Sequence, residues 1–307
     1  MGRAIALEPG VSPKPGFKAG YVALVGRPNA GKSTLLNALL KQKLSIVSPL
    51  PQTTRHKVLG ILSAEDYQAC FLDTPGLLDA AKDGLQESLR RAARAASRDD
   101  AEVLVLVTEP RVPSAEELAA LQGLRRGRAP LLVAVNKTDL VQDPARLEAA
   151  ARAYAEGLSA AQTHLISALQ GQGVERLLAA ILALLPESPP YYGSGQVSDR
   201  WERFFAAELI REKIFELYRD EVPHACAVAI EDYQEGSKDR LSATVFVERE
   251  PQKGILIGSG GSAIRRLTEE SRKAIAAFVG RPVAVDLRIK VRRNWRRDPR
   301  ALREFGY

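Results

Sequence analysis

Residues 26 to 33 read Gly26-Arg27-Pro28-Asn29-Ala30-Gly31-Lys32-Ser33, between the apolar run Tyr21–Val25 and the helix-forming stretch Thr34–Leu40. A glycine-framed loop ending in Lys-Ser, entered from a buried strand and left through a helix, constrains the fold more than any other feature of the chain. It works only where a strand end meets a helix N-terminus at the edge of a largely parallel sheet. Glycines let the backbone curl so that its N–H groups and the helix start point at an anion. Lys32 adds a positive charge and the Ser33 hydroxyl is a ligand for Mg²⁺. The pattern predicts a phosphate-binding loop with contacts from Gly26, Asn29, Ala30, Gly31, Lys32, Ser33 and Thr34.

A chain of 307 residues is long for one core, and two domains are expected. From Gly20 onward, short apolar runs at 21–25, 67–72, 103–107, 131–135 and 165–166 alternate with helical patterns at 85–96, 115–124, 144–155 and 174–185. This is βαβ rhythm, and it predicts an α/β domain over residues 20–185 with a mostly parallel sheet. Three prolines with glycine and serine over 186–196 read as a linker, and residues 1–19 as a flexible N-terminal extension. Residues 197–307 change rhythm to a smaller α+β domain of order α-β-β-α-α-β. Its helices are expected at 201–219 and 262–278 with a short turn at 254–257, its strands at 225–233, 241–248 and 283–291. The last strand alternates apolar residues with a mostly cationic face that includes Arg288, Lys290 and Arg292.

The formal charge is +7, and the last 27 residues hold nine basic and three acidic side chains. A basic end points to a polyanion, either nucleic acid or an anionic membrane surface, with a merely solvated face as the alternative. There is no apolar run long enough to span a bilayer and no signal-peptide core, so a cytoplasmic location is expected. Cys70 and Cys226 lie in apolar runs without CxxC spacing and read as buried thiols.

A phosphate loop alone does not choose a base. Asn136-Lys137-Thr138-Asp139 follows an apolar run, and the Asp139 carboxylate can accept from the two N–H donors that guanine has and adenine lacks. Asn136 can bridge base and loop, Lys137 can lay its stem over the base, and Ser167-Ala168 can offer the Ala168 N–H to guanine O6. Asp73-Thr74-Pro75-Gly76 places Asp73 near the Mg²⁺ and the Gly76 N–H near a γ-phosphate, while Pro51-Gln52-Thr53-Thr54-Arg55 offers a threonine for the metal. Thr54 is favoured for that role and Thr53 remains open. Lys32, Thr54, Asp73 and Gly76 form the expected catalytic set; Ser33, Thr54 and Asp73 form the metal set. After Gly76 stands Leu77, which cannot orient a water as a glutamine would, and Arg27 and Arg55 lie in the motif loops without an assignable role in catalysis.

These motifs, with Val291-Arg292-Arg293-Asn294-Trp295 near the end, resemble the bacterial Era GTPases over residues 17–307. The resemblance implies a P-loop GTPase domain followed by a type II KH domain, hydrolysis of GTP to GDP with Mg²⁺, and binding to the 3′ end of 16S ribosomal RNA during small-subunit assembly. It places the KH loop at Gly258-Ser259-Gly260-Gly261, with Lys253, Ile257, Ile264, Arg265 and Arg266 around it; Ser259 and Gly260 stand where many KH loops carry a cation. DNA is not expected as a partner. Two rival readings are a nucleotide-gated RNA scaffold with incidental hydrolysis, suggested by Leu77, and a GTPase associated peripherally with the inner membrane.

Overall fold

The computed structural model describes residues 14–48, 54–76, 101–122 and 129–307. The chain forms two compact units. Among described residues the first holds 14–45, 57–76, 101–122 and 129–199; the second holds 200–307 together with 46–48 and 54–56. The helix expected at 85–96 lies outside the described residues, as do Pro51 to Thr53, Leu77 and most of the N-terminal extension.

In the first unit, β1 (Lys18–Val25), β2 (Val58–Ser63), β3 (Tyr67–Asp73), β4 (Val103–Thr108), β5 (Leu131–Val135) and β6 (Gln162–Leu165) form one sheet. Its order is β2-β3-β1-β4-β5-β6. Every pairing is parallel except β2 with β3. The helices are α1 (Lys32–Leu40), α2 (Ala115–Gln122), α3 (Pro144–Leu158) and α4 (Val174–Leu184). β4 and β5 are buried at every residue, as strands covered on both faces must be. Helices α2 and α3 close one face by setting Leu121, Ala150, Tyr154 and Leu158 against Val25, Leu106 and Val133.

Register decides where chemistry can occur. Leu24 pairs with Asp73, Val25 with Leu106, Thr108 with Val135, and Val135 with Leu165. Gly26, Asp73, Asn136 and Ser167 therefore emerge along one carboxyl edge, the edge where open α/β sheets bind ligands.

In the first unit two expectations differ from what is observed. Strand β2 was not anticipated, because an antiparallel strand breaks the alternation from which the parallel sheet was read. The sixth strand runs over 162–165 instead of 165–166. The segment 186–196, read as a linker, lies along the first unit: Ser188 N–H donates to Phe17 O (3.0 Å), Gln68 Oε1 accepts from the N–H groups of Tyr191 (2.7 Å) and Tyr192 (2.9 Å), and just beyond it Ile61 N–H donates to Val197 O (2.9 Å). It covers the exposed edge of β2, which would otherwise present unpaired backbone groups.

The second unit contains α5 (Glu202–Leu217), α6 (Val222–Ala225), β7 (Ala227–Gln234), β8 (Asp239–Val247), α7 (Glu250–Ile257), α8 (Ser262–Val279), β9 (Val283–Val291) and α9 (Pro299–Glu304). Its sheet runs β7-β8-β9, antiparallel then parallel. That is the arrangement of a type II KH domain. Ile210 and Ile214 of α5 and Leu267 and Ile275 of α8 pack on Val245, Val247 and Leu287. Helix α7 begins four residues earlier than the expected turn, and α6 and α9 are additions. The start of α9 was legible: Asp298 accepts from the Arg300 N–H at 2.9 Å and Pro299 takes the first helical position.

Candidate nucleotide and nucleic-acid sites

In the first unit the loop 26–33 leaves β1 and turns into α1 through Gly31, whose φ of 100° is a left-handed conformation. A Cβ there would lie 2.2 Å from Asn136 Nδ2, so glycine is required for space as well as for backbone. Lys32 is 5% exposed and donates to Gly26 O (3.1 Å) and Arg27 O (2.9 Å), folded back over its own loop. Burial lowers its pKa from 10.5 to about 8, although the nearby Asp73 carboxylate works the other way. Ala30 is buried, Asn29 exposed, and Thr34 half-buried in the first turn of α1.

Asp73 ends β3 with no exposed surface. Its Oδ2 accepts from Ser33 Oγ at 2.7 Å, while Oδ1 is buried without a hydrogen-bond partner among the described residues. Burial raises its pKa, against the lowering effects of the Ser33 hydroxyl and the Lys32 ammonium. An orphaned carboxylate oxygen beside a serine hydroxyl is the hard-oxygen donor set that Mg²⁺ takes. Gly76 packs close to Pro28, leaving a Cβ only 2.6 Å from the Pro28 nitrogen.

The tetrad 136–139, expected to read the base, is tied to this loop. Asn136, 2% exposed, donates from Nδ2 to Ala30 O (2.9 Å) and accepts at Oδ1 from the Ala168 N–H (2.9 Å). Asp139 is held from the side by the Ser167 hydroxyl, which donates to Oδ1 at 2.5 Å. Lys137, in a left-handed conformation, reaches Glu109 at 2.8 Å. The Ala168 N–H, expected at guanine O6, instead braces Asn136.

Of the residues expected at the metal, Ser33 and Asp73 belong to the first unit and Thr54 to the second. Arg55 is also in the second unit, 3% exposed. It donates to Cys226 O (2.6 Å), His224 O (2.9 Å) and Pro223 O (3.3 Å), a structural anchor and not a cation for phosphate. Sequence reasoning missed Asn37, which staples the loop after α1 by accepting from Leu44 N–H and Ser45 N–H, each at 2.9 Å. An Asn inside an apolar helix face was the available signal.

In the second unit Gly258-Ser259-Gly260-Gly261 joins α7 to α8. Gly258 has φ 70° and no room for a Cβ, which would meet the Ala263 nitrogen at 2.9 Å. Arg265 reaches back over Gly261, and Arg265 and Arg266 are exposed. Ile257 and Ile264 are half-buried beside the loop, and Lys253 pairs with Glu250 at 3.8 Å. On β9, Lys290 is exposed and Arg288 lies near Asp286 (3.2 Å). Arg292 differs from expectation: it pairs with Glu304 at 2.7 Å and lies over the Phe305 ring, pinning α9 instead of facing solvent.

Two family profiles match the chain, the 50S ribosome-binding GTPase over residues 21–137 and the KH domain over 221–296. The GTPase Era of Carboxydothermus hydrogenoformans is 40% identical over 95% of this chain and 98% of its own length. That of Pseudomonas putida strain F1 is 42% identical over 94% and 97%. The chain belongs to the Era family of GTPases. The structure of a point variant of Aquifex aeolicus Era bound to GDP·AlF4⁻ superposes with a TM-score of 0.90 at 34% identity, covering 95% of this chain and 99% of that one. Era in complex with MgGDPNP and nucleotides 1506–1542 of 16S ribosomal RNA gives 0.89 at 34% identity with the same coverage. The GTPase profile spans the loop 26–33 and the start of the tetrad, and the KH profile spans the glycine loop 258–261. Among described residues no helix is long and apolar enough to cross a membrane.

Proposed function

We propose that the first unit binds Mg·GTP and hydrolyses it, and that the second unit binds the 3′ end of 16S ribosomal RNA in support of small-subunit assembly in the cytoplasm. The observation that carries the nucleotide half is the Asn136 bridge between Ala30 O and the Ala168 N–H, which fixes the base reader to the phosphate loop at one distance. The curled backbone of 26–31 and the start of α1 receive the phosphates, and Lys32 swings from its carbonyl acceptors onto them. Within the first unit Ser33 and Asp73 would hold Mg²⁺, whose charge would neutralise the phosphate oxygens. Asp139, held by Ser167, accepts from guanine, and Lys137 covers the base. The Gly76 N–H senses the γ-phosphate.

In the second unit Gly258 brings backbone against the sugar-phosphate chain at the start of α8. Ile257 and Ile264 receive bases, and Arg265, Arg266 and Lys290 supply charge. RNA is favoured over a membrane because Gly258, at φ 70° with no room for a Cβ, forms a loop whose backbone can approach a sugar-phosphate chain closely. The reading is tested by calorimetry of Asp139→Asn, which turns an acceptor into a donor facing a donor. A loss of GTP affinity of about 100-fold or more is expected, and unchanged affinity would sink the guanine assignment. Retention of a 16S 3′-end oligonucleotide, compared with anionic vesicles at matched salt, tests the second half.

A further inference from the structure

A cavity of about 610 Å³ in the second unit lies away from the glycine loop. It opens at the other end of α7, lined by Arg249, Arg293, Arg296 and Arg297 with Glu248 and Glu250. Among the described residues four guanidinium groups face two carboxylates there, a surplus of two positive charges. Arg296 lies 3.9 Å from Glu248, whereas Arg249, Arg293 and Arg297 enter no ion pair among the described residues and are exposed. Clustering unpaired cations in one concavity costs free energy unless a polyanion enters.

The walls are fixed in advance. Trp295, with no exposed surface, donates from Nε1 to Ala225 O at 2.8 Å and anchors the turn that carries Arg293, Arg296 and Arg297. Asn294 takes a left-handed φ of 56°, and Arg297 N–H closes the turn on Asn294 O at 2.9 Å. On the facing wall Gln252 Oε1 accepts from Glu248 N–H and Arg249 N–H, each at 3.0 Å, which fixes the backbone from which Arg249 projects. Planar guanidinium forks on rigid turns match phosphate oxygens. Among the described residues no aromatic side chain lines the cavity, so none there stacks on a base.

We infer that this arginine-lined cavity is a second, sequence-independent phosphate site for the same RNA strand that the glycine loop holds. The inference rests on the RNA-binding reading above. Helix α7 has eight residues and so separates the two sites by about 12 Å along its axis, three to four stacked nucleotide steps at about 3.4 Å each. A strand leaving the glycine loop along α7 reaches the cavity without a break.

The test uses the full chain with Arg293→Ala and Arg297→Ala combined, both exposed, with far-UV circular dichroism and thermal unfolding of the full chain as the folding control. Two single strands are compared by fluorescence anisotropy across a salt series: one of about four nucleotides, the length a KH loop clamps, and one about three times longer. The slope of log affinity against log salt for the long strand is expected to fall by about 1.4, two contacts at about 0.7 each. Its affinity at 0.1 M salt should drop by about 25-fold, a difference that vanishes toward 1 M. The short strand should bind within twofold of wild type. Unchanged binding of the long strand, or equal losses for both strands, overturns the second site. Loss of retention on anionic vesicles with RNA binding intact overturns it in favour of a membrane. Failure of the wild-type chain to bind either strand rejects the RNA reading itself, which is a separate result.

Discussion

Lys32→Met should make the nucleotide-free protein more stable while abolishing GTP binding. Lys32 is buried, and its pKa falls from 10.5 to about 8 chiefly because burial disfavours the charged form. At about 1.36 kcal/mol per pH unit, that difference is a cost of about 3.4 kcal/mol in the folded state below pH 8. Methionine keeps the apolar volume without the charge. It also removes the donor to Gly26 O and Arg27 O, a loss of about 1 kcal/mol for each bond. The net expectation at pH 7 is a gain of about 1–2 kcal/mol.

The sign changes with pH in a way that no packing effect reproduces. Between about 8 and 10.5 the unfolded chain still holds the lysine proton and the folded chain does not, so wild-type stability rises with pH through that window. The advantage of the variant therefore shrinks and inverts by pH 10.5. Urea unfolding by far-UV circular dichroism, in EDTA and free of nucleotide, measures the difference between the two proteins at each pH, which cancels groups common to both. A variant that is destabilised by the same amount at pH 7 and pH 10 would refute the argument that Lys32 is held in strain for a phosphate.

Three further outcomes follow from the same geometry. GTP affinity should be level up to about pH 8 and then fall, by about tenfold at pH 9, because the phosphates need the protonated Lys32; calorimetry in buffers of different ionisation enthalpy should show proton uptake on binding above pH 8. Gly31→Ala forces a Cβ to within 2.2 Å of Asn136 Nδ2 at a φ of 100°, costing about 1–2 kcal/mol of backbone strain and the Asn136 bond to Ala30 O. GDP affinity should fall by about 100-fold or more, and a loss under threefold would show that the loop tolerates the side chain. Glu208→Gln should destabilise the second unit by about 3–5 kcal/mol, since Arg211, 1% exposed, would lose its bidentate partner. The wild-type protein should lose this contribution as pH falls below 4.5 toward the depressed value of Glu208; identical acid unfolding of both proteins would reject the pairing argument.

The parts of the fold legible in the sequence were those with one dominant local cause. Continuous apolar runs such as Val103–Val107 announce doubly covered strands, and Gly26 to Ser33 announces the turn between strand and helix. The features that escaped arise from contacts distant in sequence. Residues Val58–Ser63 become a strand because β3 offers an antiparallel edge. Residues 186–198 are rich in proline yet ordered, because Gln68 binds the backbone on both sides of Tyr192. Arg292 reads as a solvent-facing cation from alternation alone; only the unforeseen α9 brings Glu304 to it. The site residues of the loop and tetrad were legible by type and spacing, but the Asn136 bridge that makes them one site is a tertiary fact.

Buried charges in the two units also behave in opposite ways, and the contrast separates function from structure. Glu208 is buried, yet the Arg211 guanidinium and the His56 ring hold its carboxyl well below the usual range. Both oxygens of the Glu208 carboxylate accept from Arg211, so this acid leaves no lone oxygen for a ligand cation. Asp73 is equally buried beside a cation and a hydroxyl, yet its pKa rises, and one of its oxygens has no hydrogen-bond partner among the described residues. Lys32 next to it is displaced toward neutrality. Two adjacent groups of opposite sign, each pushed away from its charged form, are stabilised together by a ligand bearing both a metal cation and phosphate oxygens. An ion pair built for stability would have been drawn into contact, as Glu208 and Arg211 are. Strain at both members of the pair is therefore the signature expected of a site that awaits Mg·GTP.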